Sequence, residues 1–344
     1  MSTAHQSFQI PDSLNASLPA EYRGKQRDDV KMMVTKPDRD SYHSHFRNLT
    51  QWLEEGDLLV LNNSRTIPPV LYGKQYKQKV EIRLSRMVSP LEWDALIIGN
   101  AVQVNSPIKL PNGVEIKVLG QGAEAPLMRV AFSLPEGEFI DFVLQHGSPV
   151  QYEYMEENWP LDMFQTVFAS VPGSVEMPSA GRAFSWRLLR SLKAQGINTA
   201  FITLHTGLSY YENNHWPTPK GHPEIFEVPA TTAEVIQETK AKGRKVVAVG
   251  TTVVRALETA ALPNGGIQKA SGVTDLHIDG NTPLYVTDGL LTGFHEPEAS
   301  HLDMLSAFIP QERLLQTYQE AIKKGYLWHE FGDVNLLFKR NSEE

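Results

Sequence analysis

The 344-residue sequence contains no cysteine. This absence excludes disulfide frameworks, thiolate zinc sites, iron–sulfur clusters and cysteine nucleophiles, and it fits a reducing compartment. A chain of this length can bury a sizeable hydrophobic core without such cross-links. It also exceeds the usual size of one domain, so we expect two.

Long apolar runs are also absent. No stretch approaches the ~18 consecutive apolar residues that a membrane-spanning helix needs. The first residues, MSTAHQSFQIPDSL, lack the basic segment and apolar run of a secretory signal. Both absences favour a soluble, cytoplasmic protein.

An excess of basic residues is missing as well, since the formal net charge is −8. Nucleic-acid-binding proteins usually carry such an excess to neutralise phosphates. If RNA is the partner, basic side chains must gather on one face, and solvated surface charges are the alternative. The two candidate groups are Arg23, Lys25, Arg27 and Lys31, and Arg182, Arg187, Arg190 and Lys193.

Several ligand-binding motifs do not occur. The sequence has no GxGxxG after a strand, no GxxxxGK[ST] and no GxSxG, which argues against dinucleotide-binding enzymes, P-loop NTPases and common hydrolases. The histidine pairs His43/His45 and His295/His301 lack the helical spacing of zinc proteases. We therefore expect no metal site and no nucleotide cofactor.

The chain divides into three segments with different sequence patterns. Within residues 43–69, HSHFRNLTQWLEEG predicts a helix and LLVL a short strand. From Val70 to about Leu144, short alternating strands and an Asn112-Gly113 turn predict a small antiparallel barrel or sandwich. After Gly147, strands alternate with helices, which predicts a mainly parallel sheet.

The predicted architecture is an α/β domain, residues 1–69 and 148–344, interrupted by a β-rich domain, residues 70–147. In the α/β part, SWRLLRSLKAQG predicts a helix with Ser185 as N-cap and Gly196 past its end. TTAEVIQETKAKG predicts another helix, capped by Thr231 or Thr232, and LYVTDGLLTGF predicts a late strand.

Polar residues follow the predicted strands. Ligands of open α/β sheets bind outside the carboxyl ends of the strands, so these residues predict one shared site. They are Asn62, Asn63, Ser64 and Arg65 after LLVL, His205, Thr206 and Gly207 after AFITL, Gly250, Thr251 and Thr252 after VVAV, and His295 after LYVTDGLLTGF.

The segment VVAVGTTVVR is the sharpest of these motifs. A strand, a glycine, two hydroxyl residues and a helix place free backbone N–H groups and the helix dipole at the turn, which suits a carboxylate or ribose. Arg255, one helical turn further, could pair with a carboxylate. The alternative is that Thr251 or Thr252 only caps the helix.

Three residues, one after a strand and two on a loop, are candidates for acid–base chemistry. His205 follows a strand and is a candidate general acid or base, with a packed structural histidine as the alternative. His222 and Glu224, in GHPEIFEV, form a possible acid–base pair, with a solvated turn as the alternative.

Six blocks occur in the order of one known family from about residue 27 onward. They are GDLLVLNNSRTIPPVLYGK, MFQTVFASVPGSVEMPSAGRAFS, TAFITLHTGLSYY, VVAVGTTVVRALET, LLTGFHEPEASHLDMLSAF and FGDVNLLF. The sequence thereby resembles the S-adenosylmethionine:tRNA ribosyltransferase-isomerases of queuosine biosynthesis. The resemblance implies a Rossmann-like three-layer α/β domain with an inserted antiparallel β-barrel.

The resemblance also implies a reaction. These enzymes transfer and isomerise the ribosyl part of S-adenosylmethionine onto 7-aminomethyl-7-deazaguanine in tRNA, giving epoxyqueuosine-tRNA, adenine and methionine. On this basis tRNA is the expected partner of a monomeric enzyme. The expected acid–base candidates are His205, His295, His222 and Glu224, and the expected binding residues are Asn63, Arg65, Gln165, Thr166, Gly181, Arg182, Gly250, Thr251, Thr252 and Arg255.

The sequence departs from the family at several positions. The family's AGLHF reads AGRAF, with Arg182 and Ala183, and its NDTR reads NNSR, with Asn63 in place of a carboxylate. Its TNFHLPKSTL reads TGFHEPEASH, with Glu296 at an apolar position and Glu298 at a lysine. A drifted tRNA-modifying site, a paralogue with another small acceptor, and a non-catalytic S-adenosylmethionine-binding protein are the alternatives.

Overall fold

The computed structural model describes residues 8–99, 103–104, 106–211, 215–217, 223–297 and 301–339. In these ranges the strands are β1 Lys31–Thr35, β2 Tyr42–His45, β3 Leu58–Asn62, β4 Ser64–Thr66, β5 Val70–Gln75, β6 Gln78–Ser89, β7 Glu92–Ile98, β8 Ile108–Lys109, β9 Glu115–Gln121, β10 Met128–Phe132, β11 Val171–Ser174, β12 Asn198–Leu204, β13 Glu224–Val228, β14 Val246–Val249, β15 Ala270–Thr274, β16 Gly289–Gly293 and β17 Val334–Phe338. The helices are α1 Phe139–His146, α2 Trp186–Ala194, α3 Ala230–Ala241, α4 Thr251–Thr259, α5 His301–Leu305 and α6 Gln311–Lys323.

The larger sheet has nine strands in the order β15-β13-β12-β3-β14-β16-β17-β1-β2. The four central strands β12, β3, β14 and β16 are parallel, as are β17 and β1. The other four neighbouring pairs are antiparallel. The expectation of a mainly parallel sheet is therefore wrong at the flanks. There β1 and β2, for example, follow each other without the crossover that parallel pairing requires.

Helices cover both faces of this sheet. Side chains of α3, α4, α5 and α6 pack with one face in a single buried cluster, which includes Ile236, Leu257 and Tyr318. Side chains of α2 and of a 3₁₀ helix, Phe46–Trp52, pack with the other face. The arrangement is the expected three-layer α/β fold.

The second sheet is a closed antiparallel barrel in the order β10-β7-β6-β5-β8-β9. Helix α1 packs against it, with Phe139 stacked on the buried Trp93. Asn112 and Gly113, both with positive φ, turn the chain between β8 and β9, which confirms the predicted hairpin. The inserted barrel is thus confirmed as a feature of the fold.

The chain enters and leaves the barrel at one point. Val70 and Ser148 donate their backbone N–H groups to each other's carbonyl oxygens, at 3.0 and 2.9 Å. A side chain at Gly147 would collide with the carbonyl oxygen of Pro68, so this crossing requires glycine. The division into domains at residues 70 and 147 stays a prediction.

Of the local predictions, one helix cap is confirmed, and the caps of α3 and the start of one helix are wrong. Ser185 caps α2 as predicted, because its hydroxyl accepts the backbone N–H of Leu188 at 3.1 Å. The predicted caps of α3 are wrong: α3 begins after Pro229, and Thr232 instead donates to the carbonyl oxygen of Phe201. The helix predicted from His43 is also wrong at its start.

Residues 42–45 form the edge strand β2 because they pair with β1, and only Phe46–Trp52 turns helically. Tertiary pairing here overrides local propensity. The late strand predicted for LYVTDGLLTGF contains only Gly289–Gly293.

Candidate active site

The carboxyl ends of the four central parallel strands lie side by side. Because β12, β3, β14 and β16 are neighbours and run in the same direction, the residues that follow them share one edge of the sheet. This edge brings together segments near residues 63, 205, 250 and 294.

The asparagines after β3 join neighbouring strands. The buried Asn62 donates to the carbonyl oxygen of Leu204 at 2.8 Å, and its Oδ1 accepts the backbone N–H groups of Ser64 and Leu204. Asn63 accepts the hydroxyl of Thr203 at 2.7 Å. Arg65 is exposed. The proposed contacts of Asn63 and Arg65 with substrate stay predictions.

His205 is held by a network of hydroxyl groups. A hydrogen bond of 2.7 Å joins its Nδ1 to Ser64 Oγ, which lies 2.6 Å from Ser174 Oγ. Gly173 lies so close to the ring that a Cβ there would be 2.6 Å from His205 Cε1. Within the described ranges no hydrogen bond reaches Nε2.

Burial lowers the pKa of His205 below its ordinary value. Its imidazole is therefore neutral near pH 7. A neutral ring fixed through Nδ1, with Nε2 without a described partner, has the geometry of a general base.

The turn between β14 and α4 has the predicted form. Gly250 has φ +99° and no side-chain cap is present, so neither Thr251 nor Thr252 is a cap. Both threonines are buried in the first turn, and Thr252 Oγ1 lies 3.4 Å from Asn62 Nδ2. The first backbone N–H groups of α4 point out of the helix at the shared edge.

Arg255 forms an ion pair with Glu224 of β13. Glu224 is buried, and its carboxylate neutralises the guanidinium. His222, its predicted acid–base partner, lies outside the described residues. The roles of Glu224 and Arg255 in the reaction stay predictions.

The polar side chains of Gln165 and Arg182 form their hydrogen bonds within the protein. Gln165 accepts from the backbone N–H of Thr66 and donates to its carbonyl oxygen, at 3.1 and 2.7 Å. Thr166 is buried, and Gly181 lies beside it and Phe168. Whether these residues line a substrate pocket stays a prediction.

Arg182 is buried between Glu21 and Phe331. It donates to the carbonyl oxygen of Met163 at 3.0 Å and to Glu21 at 3.1 Å, and its guanidinium lies 4.8 Å from the Phe331 ring centre. Burial lowers its pKa to about 10, partly offset by Glu21. The departure at this position therefore has an internal partner, and a contact of Arg182 with substrate stays a prediction.

Stacked rings, ion pairs and longer-range charge interactions link the strand ends to loops, and we call this group of residues the edge network. Besides burial, the positive charge of Arg255 helps to lower the pKa of His301. The His301 ring stacks on His295 with centroids 4.4 Å apart. His329 Nδ1 lies 2.9 Å from Glu296, and its ring stacks on Tyr154. Tyr152 lies beside Tyr154, and its hydroxyl donates to Glu176. Besides burial, the negative charge of Glu224 helps to raise the pKa of Glu176. Glu224 in turn pairs with Arg255.

Within the edge network, His295 and His301 are neutral near pH 7. Burial, His301 and His329 hold the pKa of His295 well below its ordinary value, and its Nε2 lies 2.8 Å from Thr292 Oγ1. Burial and the positive charge of Arg255 lower the pKa of His301 to about 4. In the part of the chain that the structure describes, no group of three or more His, Asp or Glu side chains that could hold a metal ion occurs.

The carboxyl group of Glu176 is a candidate for proton transfer that sequence reasoning missed. Burial raises its pKa, against the hydrogen bonds from Tyr152 and from the backbone of Ser209. The backbone carbonyl oxygen of Glu176 accepts the hydroxyl of Thr206, the residue after His205, at 2.6 Å. A glutamate with a raised pKa near a strand end is a candidate acid.

Comparison with known proteins shows the family. A model of the family described as queuosine biosynthesis protein matches residues 3–337. The chain belongs to this family.

Curated relatives of this queuosine biosynthesis family carry the name S-adenosylmethionine:tRNA ribosyltransferase-isomerase. The relative from Aquifex aeolicus is 38% identical over 337 residues, 96% of this chain and 98% of that protein. The relative from Thermoanaerobacter is 34% identical over 341 residues, again 96% and 98% of the two chains. The resemblance predicted from the six sequence blocks is thus confirmed, as is membership of a family of enzymes.

A solved structure is similar as well. The crystal structure of S-adenosylmethionine tRNA ribosyltransferase from Thermotoga maritima aligns with a TM-score of 0.56 and 28% identity, covering 97% of this chain and 99% of that one. The likeness supports the α/β fold with its barrel.

Two departures from the queuosine family motif meet in this structure. Glu296, at an apolar family position, contacts His329. His329 in turn lines a small cleft together with Ala183, where the family motif has a histidine. The departure at Glu298 lies outside the described residues.

Some residues of the two predicted basic groups bond to oxygen atoms of the protein itself, and others are exposed. Arg27 bonds Glu21 and the carbonyl oxygen of Gln165, and Arg23 donates to that of Phe331. Lys31 donates to two carbonyl oxygens after α6. Lys25, Arg190 and Lys193 are exposed. No helix of the described residues has the length and apolarity to cross a membrane.

Proposed function

We propose that this protein transfers and isomerises the ribosyl group of S-adenosylmethionine onto 7-aminomethyl-7-deazaguanine in tRNA, releasing adenine and methionine. The observation that carries this proposal is that the neutral, hydroxyl-anchored His205 and the open N-terminus of α4 share one edge of the sheet. Family membership supplies the reaction, and the edge supplies the groups that it needs.

The first chemical requirement is a base. The carbon beside the sulfonium is acidified by the positive sulfur, so a neutral imidazole can remove its proton. His205 is the proposed base because burial keeps it unprotonated near pH 7 and Ser64 fixes its ring. His295 is already bonded through Nε2 to Thr292, which favours His205 over it.

The second requirement is an acid for the departing adenine and donors for the cosubstrate. Glu176 is the proposed acid, since burial raises its pKa and favours its protonated form. The backbone N–H groups of Thr251 and Thr252 would hold an anionic or ribose oxygen. Tyr152 orients Glu176 through its hydroxyl.

The experiment combines purified protein, S-adenosylmethionine and tRNA bearing the deazaguanine, and follows adenine release and tRNA mass. Both signals are expected to appear together. Adenine release without a change in tRNA mass would support a different small acceptor. Cosubstrate binding without adenine release would support a non-catalytic binding protein. A cytoplasmic location and a monomeric state stay predictions.

The base assignment has its own test. His205→Asn is expected to lower turnover about 10²- to 10⁴-fold with little change in cosubstrate affinity, because it removes the proton acceptor and retains a polar side chain. The matched control is His45→Asn, on the exposed edge strand β2, which is expected to leave turnover unchanged. Unchanged turnover in His205→Asn would remove His205 from the acid–base groups.

A further inference from the structure

Helix α2 carries a basic outer face on an acidic protein. Leu188 and Leu192 turn inward and pack in the cluster on one face of the larger sheet. The outer side holds Trp186, Arg190 and Lys193, at the spacing i, i+4 and i+7 that aligns side chains in one stripe along a helix. No acidic residue occurs in α2, although the formal net charge of the whole chain is −8.

The cations of this face are open to solvent. Arg190 and Lys193 are exposed, and within the described residues neither forms an ion pair or a side-chain hydrogen bond. The side chain of Arg187, beside them, is 64% exposed and donates to the buried Asp28 at 2.7 Å. Asp28 also accepts the hydroxyl of the N-cap Ser185, so this carboxylate fixes the start of α2. The cations further along the helix can therefore pair with an anionic partner.

Trp186 is the exposed tryptophan of this chain. All six tryptophans lie in the described ranges, and the other five are buried or half-buried. Trp186 is 58% exposed and stands one helical turn from Arg190. An exposed indole beside cations is the combination with which proteins bind single-stranded nucleic acid, because bases stack on the ring and the cations follow the backbone.

The helix starts toward the edge that carries the candidate active site. It ends at the opposite edge of the sheet, where the carbonyl oxygen of Gly196 accepts the backbone N–H of Gly56, just before β3. Upstream of α2, the Cβ of Ala180 lies 3.5 Å from the position that a Cβ would take on Gly250, at the start of α4. Trp186 follows Ala180 by six positions, so their Cα atoms are at most about 22 Å apart.

The chemistry of this face matches an RNA strand with unpaired bases. A phosphate backbone offers a row of negative charges to the row of cations, and an unpaired base offers a π-face to the indole. The carboxylates beside α2 lie at its two ends, with Asp28 at the start and Glu55 against Gly196 past the end. The stretch that contains Arg190 is therefore positive.

We propose that the outer face of α2 binds the RNA strand that flanks the target nucleotide. Trp186 stacks on an unpaired base, and Arg187, Arg190 and Lys193 contact phosphates. This inference rests on the proposed function, which brings tRNA to the sheet edge, and it assigns the surface that holds the RNA there.

The first test measures the phosphate contacts. Fluorescence anisotropy follows binding of a labelled anticodon stem-loop bearing the deazaguanine over a series of salt concentrations. The double variant Arg190→Gln, Lys193→Gln is expected to lose at least tenfold in affinity at low salt, and its salt slope should be smaller in magnitude by about 1.5. The matched control, Lys242→Gln with Lys323→Gln, removes two exposed cations at the ends of α3 and α6, which pack on the opposite face of the sheet. Its salt slope should equal that of wild type.

The second test measures the stacked base. Trp186→Ala is expected to lose roughly fivefold to a hundredfold in affinity for the stem-loop with an unchanged salt slope, because stacking on an indole involves no counterion release. Trp186→Phe retains an aromatic ring and should recover part of the affinity. A blunt duplex of the stem sequence has no unpaired base, so Trp186→Ala should bind it as wild type does. The melting temperature of each variant shows whether it is folded.

The outcomes separate this inference from the proposed function. The inference is overturned if wild type binds no RNA, if the α2 variants bind the stem-loop as wild type does, or if the control loses as much affinity as they do. If wild type releases no adenine but the α2 variants lose RNA affinity, the proposed function fails and the RNA surface stands. If wild type modifies tRNA and the α2 variants keep full RNA affinity, the proposed function stands and the surface is wrong.

Discussion

The barrel and the sheet edge treat buried carboxyl groups in opposite ways. In the barrel, Asp94 is fully buried and lies 2.7 Å from Arg86 and 2.6 Å from Arg129. Although burial opposes its ionisation, the two guanidinium groups hold its pKa below the ordinary value. At the sheet edge, burial raises the pKa of Glu176 and Glu330 without an opposing guanidinium.

This difference separates structural charge from charge kept for chemistry. A buried ion pair that is complete within the protein stabilises its own fold. A buried carboxyl group without a cationic partner destabilises the empty protein and is retained where it acts on a ligand. The comparison predicts opposite responses to neutralising substitutions in the two regions.

The largest expected effect is that of Asp94→Asn. The change leaves two guanidinium groups without their carboxylate, so the free energy of unfolding should fall by about 3 kcal/mol at pH 7. Urea denaturation followed by circular dichroism measures it. A loss below about 1 kcal/mol would contradict the structural assignment of this carboxylate.

Glu330→Gln should act in the other direction. The pKa of Glu330 in the folded protein, about 7, lies above its ordinary value of 4.5. Ionisation of Glu330 therefore lowers the free energy of unfolding as pH rises from about 4.5 through 7. We expect the variant to be more stable than wild type by about 2 kcal/mol at pH 8 and equal to it at pH 4. Urea denaturation at both pH values tests this sign, and a destabilised variant at pH 8 would refute it.

The smallest expected effect is that of Arg129→Met. Asp94 keeps Arg86 as a partner, and Arg129 is partly exposed, so the loss should be about 1 kcal/mol. Because the folded pKa of Asp94 is depressed, its contribution is present above about pH 4 and lost as pH falls further. The difference between the variant and wild type should therefore shrink between pH 5 and pH 2 in urea denaturation.

The sequence predicts local signals well. The Ser185 cap and the Asn112-Gly113 hairpin depend on neighbouring residues only, and both are present. The shared edge follows from a general rule of parallel sheets, so the strand ends near His205 and Gly250 could also be located. The start of β2 could not, because it depends on pairing with β1.

The edge network could not be predicted either. Tyr154 and His329 are far apart in sequence and lie in loops without periodicity, so only the folded chain brings their rings together. Glu330 carries no motif at all. The one available signal was the departure at Glu296, which has a physical reason only once His329 is placed beside it.

The paired backbone bonds between Val70 and Ser148 affect how the chain can assemble. Strands β4 and β11, on either side of the barrel, pair with each other although a long stretch of sequence separates them. Once Val70 and Ser148 are paired, the chain left to close consists of residues 67–69 and 149–170 instead of the whole stretch. Loop-closure entropy rises with the length of chain to be closed, so a preformed barrel lowers the entropic cost of bringing β4 and β11 together. The closed barrel thereby shortens the effective chain length between segments that pair although they are distant in sequence.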